Sequence, residues 1–218
     1  MVGALLTRLG GKGASYQVDV TDAGSVQEAA RDFAARFGTP DIVIANAGIS
    51  VGTSTERSDD LAAFRKVMDT NVYGMAATFQ PFIDSMRERR SGTLAGIASV
   101  AGFRGLPGAG AYSASKAAAM TYLESLRVEL HPSGVSVVTI CPGYVRTPMT
   151  AVNRYRMPFI LEADEAARRI ARVISRKRRL AVIPWQMALV SYAFRSLPGW
   201  LYDRVFSRAP RKPRNLIR

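Results

Sequence analysis

The sequence DIVIANAG at residues 41–48 decides the fold class. Its first part, Asp41–Asn46, is a near-continuous apolar run, as expected of a strand that is buried on both faces of a parallel sheet. Two further runs rich in β-branched residues, Gly92–Ser99 and Val135–Cys141, predict additional strands. Such runs alternate with longer stretches of helical periodicity, which is typical of an α/β protein with a doubly wound parallel sheet.

The same alternation predicts the remaining elements. Ser15–Val20 and Leu180–Ile183 are predicted as the first and last strands. Helices are predicted over residues 24–37, 59–89, 112–130 and 163–176. The chain has 218 residues, which is enough for one domain. We assign that domain to residues 1–183 and describe residues 184–218 as a basic, aromatic C-terminal tail.

Composition excludes several classes of site. Hydrophobic residues make up 48% of the chain, so there is ample apolar surface for a folded core. Cys141 is the single cysteine and His131 the single histidine. These counts argue against a disulfide framework, a cysteine-based zinc site and Ser-His-Asp catalysis. We therefore predict no metal site.

The net charge of +13 is concentrated in one part of the chain. Residues 1–150 hold 14 Lys and Arg against 13 Asp and Glu, whereas residues 151–218 hold 16 against 4. Basic clusters precede the aromatic residues of the tail, which fits a solvated face with a substrate cap or a subunit contact. It also fits peripheral contact with an anionic membrane surface. Nucleic acid is disfavoured as a partner because no nucleic-acid-binding motif is present.

No targeting segment is visible in the sequence. The apolar stretch over residues 1–8 is short and lacks a basic start. The longest apolar stretch, residues 180–190, is shorter than the roughly 20 residues that span a bilayer. We expect a cytoplasmic protein, with membrane association through the tail as an open alternative.

The strongest chemical signal is Tyr112-Ser113-Ala114-Ser115-Lys116. Tyr and Lys four apart on a helix share a face, with about 5–6 Å between their Cβ atoms. A lysine ammonium favours the phenolate and so lowers the pKa of a phenol from its usual ~10. A tyrosine tuned in this way can exchange a proton near pH 7, although the pair alone also occurs by chance in many helices.

Further polar residues follow the predicted strands, at the carboxyl edge where open α/β sheets bind ligands. Asn46–Gly48 and Ser99 end two strands, and Pro142–Thr147 follows a third. Asn71 lies inside a predicted helix, where asparagine is a poor helix former. A buried functional amide explains Asn71 better than helix propensity does.

Together these residues resemble the short-chain dehydrogenase/reductase family. Their order and spacing match its strand-end Asn-Ala-Gly, helical Asn, Ser, Tyr-x-x-x-Lys and Pro-Gly-x-Val-x-Thr, over residues 15–183. The resemblance implies a Rossmann-like doubly wound sheet with NAD or NADP as cofactor. It also implies hydride transfer between that cofactor and an alcohol or ketone.

The resemblance implies a role for each matched residue. Tyr112 would exchange a proton with the reacting oxygen and Ser99 would hydrogen-bond that oxygen. Lys116 would lower the pKa of Tyr112 and bind the nicotinamide ribose, and Asn71 would hold a water that links Lys116 to solvent. Asp19 and Val20 would contact adenine. The predicted cofactor-binding residues are Asp19, Val20, Asn46, Ala47, Gly48, Tyr112, Lys116, Pro142, Gly143, Val145 and Thr147.

The sequence departs from the family pattern at its start. The family opens with a strand, a Gly-x-x-x-Gly-x-Gly turn, a helix and a second strand, and none of this precedes Ser15. Gly10–Gly13 is no substitute, because no strand precedes it and no helix follows. About one βαβ unit of roughly 30–40 residues is expected to be missing from the Rossmann-like sheet.

Two functional hypotheses follow. The first is an NAD(P)-dependent oxidoreductase, a homo-oligomer that acts on a small hydrophobic alcohol or ketone and is impaired in this N-terminally shortened form. The second is a non-catalytic remnant that acts as a membrane- or partner-binding module. The apolar residues expected around the substrate mouth are Phe103, Leu106, Met149, Tyr155, Met157, Phe159 and Ile160.

Overall fold

The computed structural model describes residues 13–153 and 155–214. Over these residues the chain forms a four-stranded sheet in which all neighbouring strands are parallel. The strands lie in the order β1 (Ile42–Ala45), β2 (Gly92–Ile97), β3 (Val135–Pro142) and β4 (Leu180–Ile183). The predicted α/β class with a parallel sheet is confirmed. Residues 10–12 of the glycine cluster lie outside the described residues.

Helices pack on both faces of the sheet. The helices are α1 (Ala23–Phe37), α2 (Asp59–Met68), α3 (Gly74–Glu88), α4 (Gly110–Leu130), α5 (Pro148–Ala151), α6 (Ala163–Ser175), α7 (Trp185–Ser196) and α8 (Gly199–Phe206). On one face, Phe79 of α3 and Leu123 of α4 are buried with Leu94 of β2. On the opposite face, Ile174 of α6 packs in a cluster with Val138 of β3. Because successive strand residues point to opposite faces, this two-sided packing explains the apolar runs of the central strands.

The prediction of a strand over Ser15–Val20 is wrong. These residues form no strand in the structure, and they lead into a turn that Asp22 continues as the N-cap of α1. A strand needs a hydrogen-bonding neighbour, and the described residues provide none beside this segment. Val20 instead packs against the start of α3, where a Cβ on Gly74 would lie 2.7 Å from Val20 Cγ2.

The expectation that Asp41–Asn46 is buried on both faces is also wrong. β1 is the terminal strand of the described sheet, and its residues alternate between exposed and buried. Ile42 and Ile44 remain 48% and 47% exposed, whereas Val43 and Ala45 are buried against α3. The apolar run therefore identified the strand correctly but wrongly indicated that its second face is buried.

The single long helix predicted over residues 59–89 is interrupted. A π-helical segment, Asp69–Tyr73, separates α2 from α3 and contains Asn71. Such π-bulges occur mostly inside α-helices and are frequent at functional sites. The interruption turns the Asn71 side chain into the interior, where it is fully buried.

The C-terminal residues pack against the rest of the protein. Tyr202 of α8 is buried, and its hydroxyl donates a hydrogen bond to the carbonyl oxygen of Gly105. The guanidinium of Arg104 lies 4.0 Å from the centre of the Tyr202 ring and donates to Leu197 O at 2.7 Å. In the part of the chain that the structure describes, no helix has the length and apolar character needed to cross a membrane.

Candidate active site

A cleft of about 580 Å³ lies at the carboxyl edge of the sheet. The ends of three parallel strands form its floor, since residues that follow β1, β2 and β3 all reach it. Its walls contain ten of the predicted site residues: Asn46, Ala47, Gly48, Ser99, Tyr112, Lys116, Pro142, Gly143, Val145 and Thr147. Residues that are far apart in the chain thus meet in one cavity, as the resemblance implied.

Tyr112 lies in the first turn of α4, where the chain enters the cleft wall. Burial raises the pKa of Tyr112 above its usual value, and a hydrogen bond with Ser99 opposes the rise. This direction is opposite to the lowering expected from the sequence, because desolvation disfavours the phenolate. The hydroxyl is therefore protonated at neutral pH and can donate a proton to an oxygen bound in the cleft.

Lys116 lies one helical turn after Tyr112 and is almost fully buried, with 5% of its surface exposed. Its ammonium donates a hydrogen bond to the carbonyl oxygen of Ile97 at 2.8 Å and lies 5.8 Å from the centre of the Tyr112 ring. Desolvation lowers the pKa of Lys116 to about 8. A buried lysine with such a pKa exchanges its proton close to physiological pH.

Cys141 lies close to the site but has little capacity for chemistry. It is fully buried, and burial raises the pKa of its thiol to about 12. Because the thiolate is the nucleophilic form, a thiol with this pKa is inert at neutral pH.

Asn71 lies behind the cleft rather than in its wall. Its amide donates to Ile49 O at 3.0 Å and to Ser115 Oγ at 2.9 Å, while its Oδ1 accepts from the backbone N–H of Ile49 at 2.8 Å. A Cβ on Gly48 would lie 3.3 Å from Asn71 Oδ1 and 3.5 Å from Lys116 Nζ. Asn71 therefore fixes the loop after β1 against Lys116.

Ser115 is a site residue that the sequence did not single out. Its hydroxyl accepts from Asn71 and donates to the carbonyl oxygen of Tyr112 at 2.8 Å. This places a buried polar chain from the π-helical segment to the first turn of α4. The signal was present in the sequence, because Ser115 lies between Tyr112 and Lys116, but its partner became visible only in the fold.

Asp19 and Val20 lie outside the cleft wall. The Asp19 carboxylate is exposed and accepts from the backbone N–H and hydroxyl of Thr21 at 2.9 and 2.8 Å. These bonds lower the pKa of Asp19. The structure thus does not bring Asp19 and Val20 together with the ten residues of the cleft wall.

The apolar side of the cleft differs from the mouth expected from the sequence. Of the seven apolar residues expected there, Met149 alone lines the cavity. Phe103 is buried elsewhere, against the ring of Tyr192. Four residues of α6 add to the apolar wall: Ala163, Ala166, Ala167 and Ile170. Ile97, Ala98 and Pro148 line the same cavity. The amphipathic pattern of α6 marked a buried face but did not indicate that this face lines a cleft.

The donor groups of the cleft fit one end of a nicotinamide nucleotide. Gly48 brings the backbone close to Lys116, and the hydroxyls of Tyr112 and Thr147 line the same cavity. An ammonium and hydroxyls are suitable partners for ribose hydroxyls and a carboxamide. For the pyrophosphate the fit is poorer, because the Gly-x-x-x-Gly-x-Gly pattern occurs nowhere in the sequence.

Comparisons with known proteins agree with the class defined by this fold and site. A family model for short chain dehydrogenases matches residues 2–157. An uncharacterized oxidoreductase of Myxococcus xanthus (strain DK1622) is 41% identical over 192 residues, which are 88% of this chain and 76% of that protein. Dehydrogenase/reductase SDR family member 7B of Mus musculus is 31% identical over 208 residues, 90% of this chain and 64% of that protein. The chain thus spans a little less than two thirds of the mouse relative.

A solved structure shows the same architecture. The alcohol dehydrogenase from the archaeon Thermococcus sibiricus complexed with 5-hydroxy-NADP matches with a TM-score of 0.71 and 25% sequence identity. The match covers 83% of this chain and 78% of that one. The chain belongs to the short-chain dehydrogenase family, whose members are oxidoreductases that act on CH–OH and C=O groups with NAD or NADP.

Proposed function

We propose that this protein transfers a hydride between NAD or NADP and a small hydrophobic alcohol or ketone at the cleft around Tyr112. The observation that carries the proposal is the convergence of Ser99, Tyr112 and Lys116 on a single cavity at the carboxyl edge of the sheet. In open α/β sheets this edge is where ligands bind. The nicotinamide ring, when bound, supplies or accepts the hydride.

Three side chains have distinct roles in the proposal. Tyr112 donates its phenolic proton to the carbonyl oxygen during reduction and accepts it back during oxidation. Ser99 hydrogen-bonds the same oxygen and stabilises the negative charge that develops on it. Lys116 places a positive charge one turn away, which stabilises Tyr112 after its proton has left. Neither Ser99 nor Lys116 has to move far, because both are already buried in the cleft wall.

The remaining predicted residues bind rather than react. Asn46, Ala47 and Gly48 line the strand-end side of the cleft, and Val145 and Thr147 line the side that follows β3. We assign them to the ribose and carboxamide of the nicotinamide half, together with Pro142 and Gly143. Asn71 acts through Gly48 and Lys116, with a water as its proton link to solvent. Asp19 and Val20 remain the proposed adenine contacts.

The proposed substrate class follows from the character of the cleft. Met149 and four residues of α6 line it together with the polar residues and give it apolar surface. Burying apolar substrate surface is favourable by about 25 cal/mol per Å². A ketone or alcohol with an apolar substituent fits this division better than a sugar does.

We further infer that the 218-residue chain binds nucleotide weakly by its own residues. In the family the pyrophosphate contacts backbone N–H groups of the glycine turn and of the following helix. The described residues contain no such turn beside β1, so those hydrogen bonds are not available there.

Turnover of NADPH and NADH with a panel of apolar ketones tests the proposal. The nucleotide absorbance is followed at the highest concentration that the assay permits, because binding by the 218-residue chain is weak. Nucleotide oxidation with formation of the matching alcohol is expected, and cofactor deuterated at C4 should leave its deuterium on the product carbon. The alternative, a non-catalytic remnant, predicts neither turnover nor a change in NADPH fluorescence on titration. Nucleotide binding without reduction of any ketone would also contradict the proposal.

We also propose a homo-oligomer in the cytoplasm that contacts anionic membranes through its C-terminal helices. Trp185, Leu189 and Trp200 are exposed on these helices. Trp185 also lines a groove together with Arg169, Arg172, Arg176 and Arg178. Binding to phosphatidylserine liposomes should weaken as salt rises from about 0.05 to about 0.5 M, because the screening length falls from ~14 to ~4 Å. Equal binding to neutral liposomes would contradict membrane recognition by charge.

Light scattering tests the proposed homo-oligomer, and a molar mass equal to that of a monomer would contradict it.

A further inference from the structure

Residues 211–214 form a strap that lies against two segments bordering the cleft, the loop after β1 and α5. Lys212 Nζ donates to Ser50 Oγ at 2.9 Å and to the carbonyl oxygen of Met149 at 3.3 Å. Ser50 lies two residues beyond Gly48 of the cleft wall, and Met149 itself lines the cleft. The strap therefore connects the loop after β1 with α5 at the mouth of the site.

An ion pair anchors the end of the strap. Arg214 donates to both carboxylate oxygens of Asp60, at 2.7 and 3.0 Å, and Asp60 is 4% exposed. The backbone N–H of Ser54 donates to the same carboxylate at 2.7 Å. These hydrogen bonds, with that from Arg214 the larger, hold the pKa of Asp60 below its usual value. Bidentate pairing of this kind fixes geometry as well as charge.

The backbone of the strap also lies directly on the loop after β1. The N–H of Gly52 donates to Pro213 O at 2.9 Å. A Cβ on Gly52 would lie 2.2 Å from Lys212 O and 2.8 Å from Pro213 O, so a side chain at this position cannot coexist with the strap. The contact is thus built into both segments and is not a chance approach of the terminus.

Lys212 places a positive charge next to Met149 of the cleft wall. Its hydrogen-bond acceptors are neutral, and within residues 13–153 and 155–214 no carboxylate lies in ion-pair distance of it. Partial burial lowers the pKa of Lys212. An ammonium has three N–H donors, and the described acceptors use two of them. An anion at the mouth would take the third and would offset the cost of desolvation.

We propose that Lys212 is a specificity-determining residue that binds an anionic group of the substrate. The preferred substrate is then an apolar ketone or alcohol that carries a carboxylate or a similar anion at the end away from the reacting carbon. The apolar wall holds the chain, Lys212 holds the anion, and the Arg214–Asp60 pair positions Lys212. The part of this proposal that concerns the reacting carbon rests on the proposed function. Anion binding by Lys212 depends only on the strap.

Calorimetric titration of the 218-residue chain with decanoate and with decanamide tests the proposal without turnover. The two probes have the same apolar chain and differ in charge. Decanoate is expected to bind about tenfold or more tightly than decanamide at low salt, as for a hydrogen bond to a charged group. Lys212→Gln should remove this preference and leave decanamide affinity unchanged. Equal affinities in the unmodified chain, including no binding of either, or a preference that survives Lys212→Gln, would overturn the proposal.

A backbone variant separates the position of Lys212 from its charge. Gly52→Ala should displace the strap and reduce the preference for decanoate although Lys212 is present. Gly199→Ala is the matched control, because a Cβ at that glycine meets open space. Faster tryptic cleavage after Arg211 is expected in Gly52→Ala alone, since Lys212 precedes Pro213 and is not a tryptic site. A full preference in Gly52→Ala would contradict the positioning role. Failure of NADPH-dependent reduction would overturn the proposed function and leave these titrations interpretable.

Discussion

The surroundings of Lys116 and the outer side of β1 differ in how completely the described residues cover them. Around Lys116, Asn71 and Ser115 connect the loop after β1 with α4 through a chain of hydrogen bonds. Around β1 the edge is open, with Ile42 and Ile44 about half exposed. An open apolar edge strand is a site for further pairing.

The difference shows that proton transfer and nucleotide affinity depend on separate segments. The groups that act on the reacting oxygen are Ser99, which follows β2, and Tyr112 and Lys116 of α4, and the described residues bring all three to the cleft wall. The groups that would bind the pyrophosphate lie beyond that edge in the family pattern. Each of the following experiments changes one side of the comparison.

The largest expected effect concerns the open edge. Extending the N terminus with a strand, a Gly-x-x-x-Gly-x-Gly turn and a helix should raise NADPH affinity by about 10³-fold or more. About three N–H donors to the pyrophosphate, each worth about 1.5–3 kcal/mol, account for roughly 5–9 kcal/mol. Fluorescence titration of NADPH measures the change, with alanines in place of the three added glycines as control. Equal affinity of the extended and unextended chains would contradict the claim that nucleotide affinity depends on a segment beside β1.

On the closed side, Tyr112→Phe should lower kcat by about 10²- to 10⁴-fold in the nucleotide-bound extended chain. The substitution removes the hydroxyl that exchanges the proton and keeps the ring. Nucleotide affinity should stay nearly constant. The matched control is Tyr122→Phe, on the same helix but packed against the core rather than the cleft. Comparable turnover of Tyr112→Phe and the unmodified chain would remove Tyr112 from the mechanism.

Loss of the buried amide should reduce stability. Asn71→Ala removes the side-chain partner of the N–H and of the carbonyl oxygen of Ile49 and the donor to Ser115 Oγ, which costs about 1–3 kcal/mol of unfolding free energy. Asn46→Ala, an exposed asparagine at the end of β1, should change stability by less than about 0.5 kcal/mol. Urea unfolding monitored by circular dichroism compares the two. A neutral Asn71→Ala would show that the network does not hold the site together.

The smallest effect concerns pH. Because desolvation sets the pKa of Lys116 at about 8, its ammonium loses its proton as pH rises through that value. In the reduction direction kcat/KM should fall about tenfold per pH unit above 8, since the positive charge beside Tyr112 is lost. A profile that stays flat to pH 10 would show that Lys116 keeps its proton during the reaction.

Local sequence patterns predicted the bounds of several helices and strands closely. β4 matches its predicted bounds, and α4, α6 and β3 differ from theirs by one or two residues at an end. Most of the ten predicted site residues in the cleft wall follow parallel strands, which present their carboxyl ends at one edge, a rule that needs no contact information. Sequence alone was therefore sufficient for the cleft floor and for Tyr112 with Lys116.

Features that depend on distant partners were not predictable in this way. Ser15–Val20 has the composition of a strand but lacks a neighbour, and the π-helical segment depends on Ser115 and Ile49, which lie at least 22 residues from Asn71. The strap depends on Arg214 reaching Asp60, 154 residues away. The sequence also predicted a lowered pKa for Tyr112, whereas burial raises it. Burial of that side chain is a property of the fold.

Saturation-transfer NMR on NADPH with the 218-residue chain tests the central claim most directly, since the method suits weak binding and resolves the two ends of the ligand. The account predicts the strongest saturation on the nicotinamide and its ribose protons, competition by nicotinamide mononucleotide, and weak saturation on adenine. The strongest saturation on adenine, or none on nicotinamide, would show that the cleft around Tyr112 and Lys116 is not a nicotinamide site.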